Sequence, residues 1–296
     1  MPVIPTPFRA GTEEIDEEAL GRLVEFAAGL DVPALCLPAY AGEFYKLSEA
    51  ERLRVVATAV AAARGRVPVI AQSNHPAARV AADLARRNAD LGADMISFAV
   101  PRIFGLPDDD LLDYCRTVCR AVTLPVLVQD FNPGGPTIDA AVCARLLDAC
   151  PNFRYVKLEE PLMGQKVLAI REATADRVGV LEGWGGMYLL DLLPFGVCGC
   201  MPGLGVADVL ARVWRLGRGG DDGAALDLFG AVLPQIVFSL QSMELFLHVE
   251  KRLLVERGVL SDPTVRRPSY TPDERVLARG DALNRRVAAV AGGLPR

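Results

Sequence analysis

Lysine and histidine are scarce in this sequence. Lysine and arginine together number 32, but histidine occurs only twice in 296 residues. Four of the 32 basic residues are lysines, namely Lys46, Lys157, Lys166 and Lys251. Two widely separated histidines argue against a histidine-based metal site. A carboxylate-only magnesium site stays open, although no dedicated motif supports one. We therefore expect neither a bound metal nor a cofactor.

A long apolar run and a basic leader are also lacking. No apolar stretch reaches ~18 residues without a charge, which predicts no transmembrane helix. The residues after Met1 and Pro2 read VIPTPF, which does not resemble a signal peptide, so we expect a cytoplasmic protein. A net charge of -5 gives no electrostatic case for binding nucleic acid or an anionic membrane. The seven cysteines are odd in number and lie in apolar patterns, as expected of buried free thiols in a reducing compartment.

What the sequence does contain is a regular alternation of short apolar runs and helical patterns. Eight runs predict strands, and their continuously apolar interiors are typical of parallel strands covered on both faces. The runs are VIPT at the start of the chain, ALCL (34–37), VPVIA (67–71), DMISF (94–98), PVLVQ (125–129), RYVKL (154–158), VGVLEG (178–183) and GVCGCM (196–201). Their spacing of roughly 20–35 residues fits βα units and predicts a (βα)8 TIM barrel. A doubly wound open sheet is the alternative, but the first βα turn lacks the glycine pattern that binds phosphate.

Helix ends between the strands can also be read from the sequence. Ser48 and Glu51 have the spacing of a capping box, and the helix that they begin should stop before Gly65. The next helix should open at Pro76 and close at Gly92. Later helices are predicted over 204–218, 222–239, 241–257 and 272–290. We expect a barrel over 1–203 and a helical segment over 204–296, together forming a single structural unit.

Lys157 stands out among the polar residues at the predicted strand ends. The catalytic site of a (βα)8 barrel lies at the carboxyl ends of its strands. Lys157 lies between Val156 and Leu158, in a chain that otherwise uses arginine for most of its cations. Burial penalises an ammonium group, and a neutral amine can attack a ketone to form a Schiff base. The alternative is a structural lysine that pairs with Glu159 or Glu160.

Other polar residues follow the remaining strands, and each has two possible roles. Tyr40 could be a general acid or base, or an ordinary packing residue. Glu43 fits a residue that orders its loop better than one that transfers protons. His75 could contact the substrate or cap the helix that follows it. Asp130 and Glu182 could hold substrate hydroxyls or accept hydrogen bonds from loop amides.

Several motifs along the chain belong together. They are PTPF, GE followed by LSEAER, GRVPVIA, PVLV, YVKLEEP and GVCGCMPG. In order and spacing they resemble the dihydrodipicolinate synthase/N-acetylneuraminate lyase family, from about residue 3 to 290. Members of that family are class I lyases that form a Schiff base on a (βα)8 barrel with C-terminal helices. The resemblance implies that Lys157 is the Schiff-base lysine and that the protein is a homo-oligomer, either a tetramer or a dimer.

The chain also departs from the family pattern. Gln129 and Asp130 stand where the family carries Tyr-Asn, so the tyrosine that moves protons beside the lysine is missing. AYAGE stands where the family carries Gly-Thr-Thr-Gly-Glu, and PRI replaces Pro-Tyr-Tyr after strand four. No arginine follows strand five, where the segment reads FNPGGPT. These changes argue against dihydrodipicolinate synthesis and against sialic-acid cleavage.

One branch of the family resembles the chain better, the 2-keto-3-deoxy-L-arabonate dehydratases. The matching features are Gln129 with Asp130, Tyr40, His75, KLEEP, EGWGG and VRRPSYTP. The resemblance implies a small-molecule 2-keto-3-deoxy sugar acid as the substrate. Lys157 would attack its C2 ketone, the iminium would lose a C3 proton, and the enamine would expel a hydroxyl as water.

The same resemblance suggests a role for each site residue. Tyr40 would exchange protons beside the imine, and Gln129 would position groups, because an amide does not titrate. His75 or Glu43 would protonate the leaving hydroxyl. The remaining substrate contacts would come from Ala41, Gly42, Asp130, Glu182 and Trp184. Two alternatives stay open, a retro-aldolase that releases pyruvate and a catalytically idle barrel that binds ligand.

Overall fold

The secondary structure of the chain alternates between helices and short strands. A computed structural model describes residues 1–103, 105–132 and 135–294. The helices in these residues are α1 (Glu17–Ala28), α2 (Glu49–Ala63), α3 (Ala78–Asp90), α4 (Asp108–Cys119), α5 (Ala140–Ala149), α6 (Gly164–Ala173), α7 (Leu189–Leu192), α8 (Ala207–Arg218), α9 (Asp222–Ser239), α10 (Met243–Glu256) and α11 (Glu274–Gly292). The strands are β1 (Leu35–Leu37), β2 (Val69–Gln72), β3 (Met95–Ala99), β4 (Val126–Asp130), β5 (Phe153–Leu158), β6 (Gly179–Glu182) and β7 (Gly199–Cys200).

The seven strands form one sheet in the order β1 to β7. Every ladder from β2 to β7 is parallel. The register places Gln129 of β4 and Leu181 of β6 on either side of Lys157 of β5. The α/β class with parallel strands, predicted from the continuously apolar runs, is therefore confirmed.

The first predicted strand, VIPT, is the one that does not form. Val3 makes only isolated parallel bridges, one to Cys36 and one to Gly203. Proline has no N–H to donate to a ladder, and prolines precede Val3 and stand at Pro5 and Pro7. Only seven of the eight predicted strands are thus present in the described residues.

Contacts divide the chain into two compact units. Unit 1 consists of Met1–Val69, Gly185–Leu190 and Pro202–Arg296, and unit 2 consists of Ile70–Trp184 and Asp191–Met201. The N-terminal residues therefore group with the C-terminal helices, whereas the sequence suggested a boundary near residue 204. The division into 1–203 and 204–296 stays a prediction.

The helix ends follow their local signals in unit 1. The Ser48 hydroxyl accepts the Glu51 N–H at 3.3 Å, and the Glu51 carboxylate accepts the Ser48 N–H at 2.8 Å. This reciprocal pair is the predicted capping box of α2. The helix ends at Ala63, followed by Arg64 in the left-handed region with φ 50°, so the predicted stop before Gly65 is confirmed.

Helix α9 differs from the expectation about membranes. Over the described residues it is the only helix long and apolar enough, by length and composition, to cross a membrane. The sequence predicted none because Asp222 and Asp227 interrupt the apolar residues of this segment. Within unit 1, α9 packs against α8, α10 and α11. Of this segment, 33% is buried within the structure.

Candidate active site

Lys157 lies near the end of β5 with its side chain only 8% exposed. Its Nζ pairs with Oε1 of Glu159 at 3.0 Å. Glu159 directly follows the end of β5 at Leu158, two residues beyond Lys157, and the ion pair shows that the two side chains meet. Gly183 leaves room for the carboxylate, because a Cβ at that position would come within 2.3 Å of Glu159 Cγ. The pairing that the sequence left open is present, and it places a proton acceptor beside the amine.

A second donor reaches the same carboxylate oxygen. The Gln129 amide donates from Nε2 to Glu159 Oε1 at 2.5 Å. Gln72 of β2 donates to the Gln129 carbonyl oxygen at 2.7 Å, and Asn74 donates to the Gln72 carbonyl oxygen at 2.7 Å. All of these side chains are buried and belong to unit 2. The predicted pair Lys157 and Gln129 is therefore brought together, on one face of the sheet.

The sequence reasoning gave no catalytic role to Glu159, Gln72 or Asn74. One signal in the sequence could have found Glu159, namely its position two residues after the lysine, just beyond the end of the strand. Gln72 carried a weaker signal, as a polar residue that ends an otherwise apolar strand. Its contact with Gln129 depends on the sheet, because 57 residues separate the two in the chain.

Asp130 does not join this group. Successive residues on a strand point to opposite faces, so Asp130 points away from the face of Gln129 and Lys157. Its carboxylate accepts two bonds from the Arg102 guanidinium, at 2.9 and 2.5 Å, and the Ile138 N–H at 2.6 Å. The interaction with Asp130 raises the pKa of Arg102. Asp130 thus makes the amide contact that the sequence left open as one of its two roles, and its substrate contact stays a prediction.

Glu182 and His75 also make the local contacts that the sequence left open as alternatives. Glu182 stands opposite Leu158 in the register and accepts the Trp184 N–H at 3.0 Å. His75 Nδ1 accepts the N–H of Ala77 at 3.0 Å, at the start of α3. Substrate contacts from Glu182, Trp184 and His75 stay predictions.

In unit 1, Glu43 orders the loop after β1. It has φ 62°, between two short 3₁₀ turns, and its side chain is fully buried. Its carboxylate accepts hydrogen bonds from Lys251 at 2.5 Å, from Lys46 at 3.1 Å and from the N–H of Arg266 at 3.1 Å. Burial lowers the pKa of Lys251 to about 8, against the opposing effect of Glu43. These bonds fit the loop-ordering role better than proton transfer.

The preceding residues of the loop are held just as closely. The Tyr40 ring meets the Phe44 ring edge-on, with centroids 4.8 Å apart. Ala41 packs against an apolar cluster that contains Phe246. Gly42 lies so close to Ile4 that a Cβ would come within 2.9 Å of the Ile4 carbonyl oxygen. The loop that carries Tyr40 is therefore anchored on both sides, and the proton-transfer role of Tyr40 stays a prediction.

The described residues contain no obvious cluster of metal ligands. No group of three or more histidine, cysteine, aspartate and glutamate side chains has a metal-binding arrangement there. The cysteines of this part of the chain are free thiols, and all but Cys198 are buried. An amine paired with a carboxylate at a strand end remains the feature with the clearest chemistry.

Comparison with known proteins identifies the family. The model of the dihydrodipicolinate synthetase family matches residues 1–280. The chain belongs to this family and is a lyase, as are family members that work through a lysine Schiff base.

Individual relatives include both dehydratases and synthases. L-2-keto-3-deoxyarabonate dehydratase of Azospirillum brasilense is 29% identical over 284 residues, which is 93% of this chain and 90% of that enzyme. A probable 5-dehydro-4-deoxyglucarate dehydratase of Bradyrhizobium sp. (strain ORS 278) is 31% identical over 50% of this chain and 46% of that protein. The crystal structure of dihydrodipicolinate synthase from Rhodopseudomonas palustris aligns with a TM-score of 0.89 and 26% identity, over 96% of each chain.

Proposed function

We propose that this protein is a Schiff-base dehydratase that acts on a 2-keto-3-deoxy sugar acid. The observation that carries the proposal is the buried ion pair of Lys157 and Glu159, with Gln129 on the same carboxylate oxygen. An amine can form an imine with a ketone, and an adjacent base can then take a proton from the neighbouring carbon. The similarity to L-2-keto-3-deoxyarabonate dehydratase supports this substrate class.

The chemistry proceeds from the amine. Lys157 attacks the C2 ketone and loses water to form an iminium. Glu159 removes a proton from C3, and the electrons move to the nitrogen to give an enamine. The enamine expels the C4 hydroxyl, which leaves as water after it is protonated. Water then hydrolyses the imine and frees Lys157, so the net change is the loss of one water from the substrate.

The remaining residues of the site keep their predicted roles within the proposal. Tyr40 exchanges protons beside the imine, and His75 is the proposed donor to the leaving hydroxyl. Backbone N–H groups around Ala41 and Gly42 bind the substrate carboxylate. We include completion of a (βα)8 barrel by the segment at Val3, supported by its bridges to Cys36 and Gly203.

The test is to treat the enzyme with borohydride in the presence of 2-keto-3-deoxy acids and to locate the adduct by mass spectrometry. We expect the adduct on Lys157 and products lighter than the substrate by one water. Lys166→Ala is the matched control, because Lys166 also pairs with a carboxylate, Glu160 at 2.6 Å. The control should still trap substrate, whereas Lys157→Ala should not. Adducts elsewhere, or full activity of Lys157→Ala, would overturn the proposal, and release of pyruvate would indicate an aldolase instead.

Assembly and location belong to the same proposal. We expect a homodimer or homotetramer, as the family resemblance implies, and a location in the cytoplasm. Light scattering coupled to size-exclusion chromatography tests the assembly, and a mass of one chain, 31.8 kDa, would contradict it.

A further inference from the structure

We propose that Gln72 and Asn74 are positioning residues, which together with Gln129 form a one-way chain of amides that keeps an N–H donor on Glu159. This inference rests on the proposed function, in which Glu159 takes the C3 proton. It adds two residues that do not touch the reacting amine and gives each a defined orientation. The links of the chain are 2.7, 2.7 and 2.5 Å long, from Asn74 to Gln72, to Gln129 and to Glu159.

The direction of the chain is determined at both of its ends. At one end, the Asn74 carbonyl oxygen accepts the backbone N–H of Ala99 at 2.7 Å, and a backbone N–H can only donate. The Asn74 amide nitrogen must then face Gln72. At the other end, an ionised carboxylate on Glu159 can only accept, so Gln129 must present its nitrogen there. Both ends require the same orientation of Gln72, which accepts from Asn74 and donates to Gln129.

The packing leaves room for the chain and makes a reversal costly. The chain passes from β2 to β4 across β3, where the residues opposite Gln72 and Gln129 are Ser97 and Ala99. Small side chains on β3 leave the space that the two glutamines occupy. The exposed fractions of Gln72, Asn74 and Gln129 are 4%, 5% and 1%. A buried amide that turned round would set like groups against each other at both of its links, without water to replace the lost bonds.

Gln129 stands where the family carries its proton-moving tyrosine, and the amide chain keeps the Gln129 N–H directed at Glu159. Glu159 Oε1 accepts from both Lys157 and Gln129. When the Lys157 nitrogen becomes part of the imine, Gln129 still holds the carboxylate in place. Since amides do not titrate, a proton that Glu159 removes from C3 cannot be passed along the chain. It stays on Glu159, available for the next step.

The test uses Gln72→Glu, which preserves the shape of the side chain and reverses its hydrogen bonding. An ionised carboxyl at this position only accepts, so Gln129 must turn its N–H toward it and its carbonyl toward Glu159. Pyruvate is the probe, because exchange of its methyl protons in D2O, followed by NMR, measures proton removal next to the imine. We expect exchange to fall about 10- to 100-fold, the effect of one misdirected buried hydrogen bond. Borohydride trapping of pyruvate on Lys157 should change less than about threefold.

Two further variants separate orientation from packing. Gln72→Met removes the donor but leaves Gln129 its bond to Glu159, so its exchange rate should lie between wild type and Gln72→Glu. Lowering the pH should partly restore exchange in Gln72→Glu relative to wild type, because a protonated carboxyl can donate to Gln129 again. A role in packing alone would give no such recovery.

The control is Gln235→Glu in unit 1. Gln235 is also buried and donates to another amide, Asn284, at 3.2 Å. This variant should lose stability without a change in exchange rate. If Gln72→Glu does not fold, Asn74→Asp takes its place, since aspartate still accepts the Ala99 N–H but cannot donate to Gln72.

The outcomes distinguish this inference from the proposed function. If wild type forms no pyruvate adduct on Lys157, the proposed function fails. If wild type forms the adduct and exchanges protons, but Gln72→Glu exchanges at the same rate, only the amide chain is refuted. Equal losses in Gln72→Met and Gln72→Glu without recovery at low pH would also refute it.

Discussion

Ionisation of the buried Glu250 carboxyl should make the protein less stable as the pH rises, and the substitution Glu250→Gln should remove this effect. Glu250 lies on α10 with 2% of its surface exposed, and its carboxylate accepts the Gly205 N–H at 2.7 Å. Burial raises the pKa of this carboxyl to about 7, against the opposing effects of the Gly205 N–H and Arg257. Gly203 packs against the same group, because a Cβ there would lie 2.6 Å from Glu250 Oε2.

The sign follows from the two pKa values. The carboxyl binds a proton more tightly in the folded protein, with a pKa of about 7, than in the unfolded chain, where the ordinary value is 4.5. Its contribution to the free energy of unfolding is therefore greatest below pH 4.5 and falls as the pH rises to 7. At ~1.4 kcal/mol per pKa unit, the loss between pH 5 and pH 8 is about 2–3 kcal/mol.

Glu250→Gln keeps the acceptor for Gly205 and removes the titration. We expect the stability of the variant, relative to wild type, to increase by about 2–3 kcal/mol from pH 5 to pH 8. Urea denaturation followed by circular dichroism at pH 5, 6, 7 and 8 measures this difference, and effects of neighbouring groups common to both proteins cancel. Glu256→Gln, at an exposed position on the same helix, gives the effect of removing one carboxylate charge without burial. A relative stability that stayed level or fell with rising pH would refute the reasoning.

Three more substitutions test particular contacts. Lys251→Met removes a buried partner of Glu43 and should destabilise the protein by about 3–5 kcal/mol in urea denaturation, and a loss below ~1 kcal/mol would contradict that role. Ser48→Ala should cost about 1 kcal/mol through loss of the α2 cap, with kcat unchanged, and an equally stable variant would show that the cap contributes nothing. Gly183→Ala should displace Glu159 and lower kcat tenfold or more while borohydride trapping on Lys157 persists, and wild-type kcat in this variant would argue against Glu159 as the base.

Local signals in the sequence accounted for much of the secondary structure. Seven of the predicted strands form, and the α2 capping box is present, because apolar runs and caps act within a few residues of the chain. The prediction of a strand at VIPT was wrong, because it rested on apolar character and ignored Pro5 within the segment and the prolines on either side of it. The all-helical region after about residue 204 also forms, with helix starts up to three residues later than predicted.

The roles of individual polar residues depended on which face of a strand they occupy. Gln129 and Asp130 are neighbours in sequence and both were assigned to the site. In the sheet, Gln129 reaches Glu159, whereas Asp130 binds Arg102 from the opposite face. A one-residue difference reverses the direction of a side chain, so the alignment of the strand with its neighbours decides the outcome.

The sequence by itself determined the family, the α/β class and the choice of Lys157, because motifs and apolar runs are written in neighbouring residues. Only the tertiary structure decided what surrounds that lysine. Gln72 and Gln129 lie on β2 and β4, and Glu159 directly follows β5. In the chain, 30 residues separate Gln129 from Glu159, and 57 separate Gln72 from Gln129. Such contacts exist only once the strands are paired in register, since pairing determines which distant side chains share a face and lie within hydrogen-bond distance.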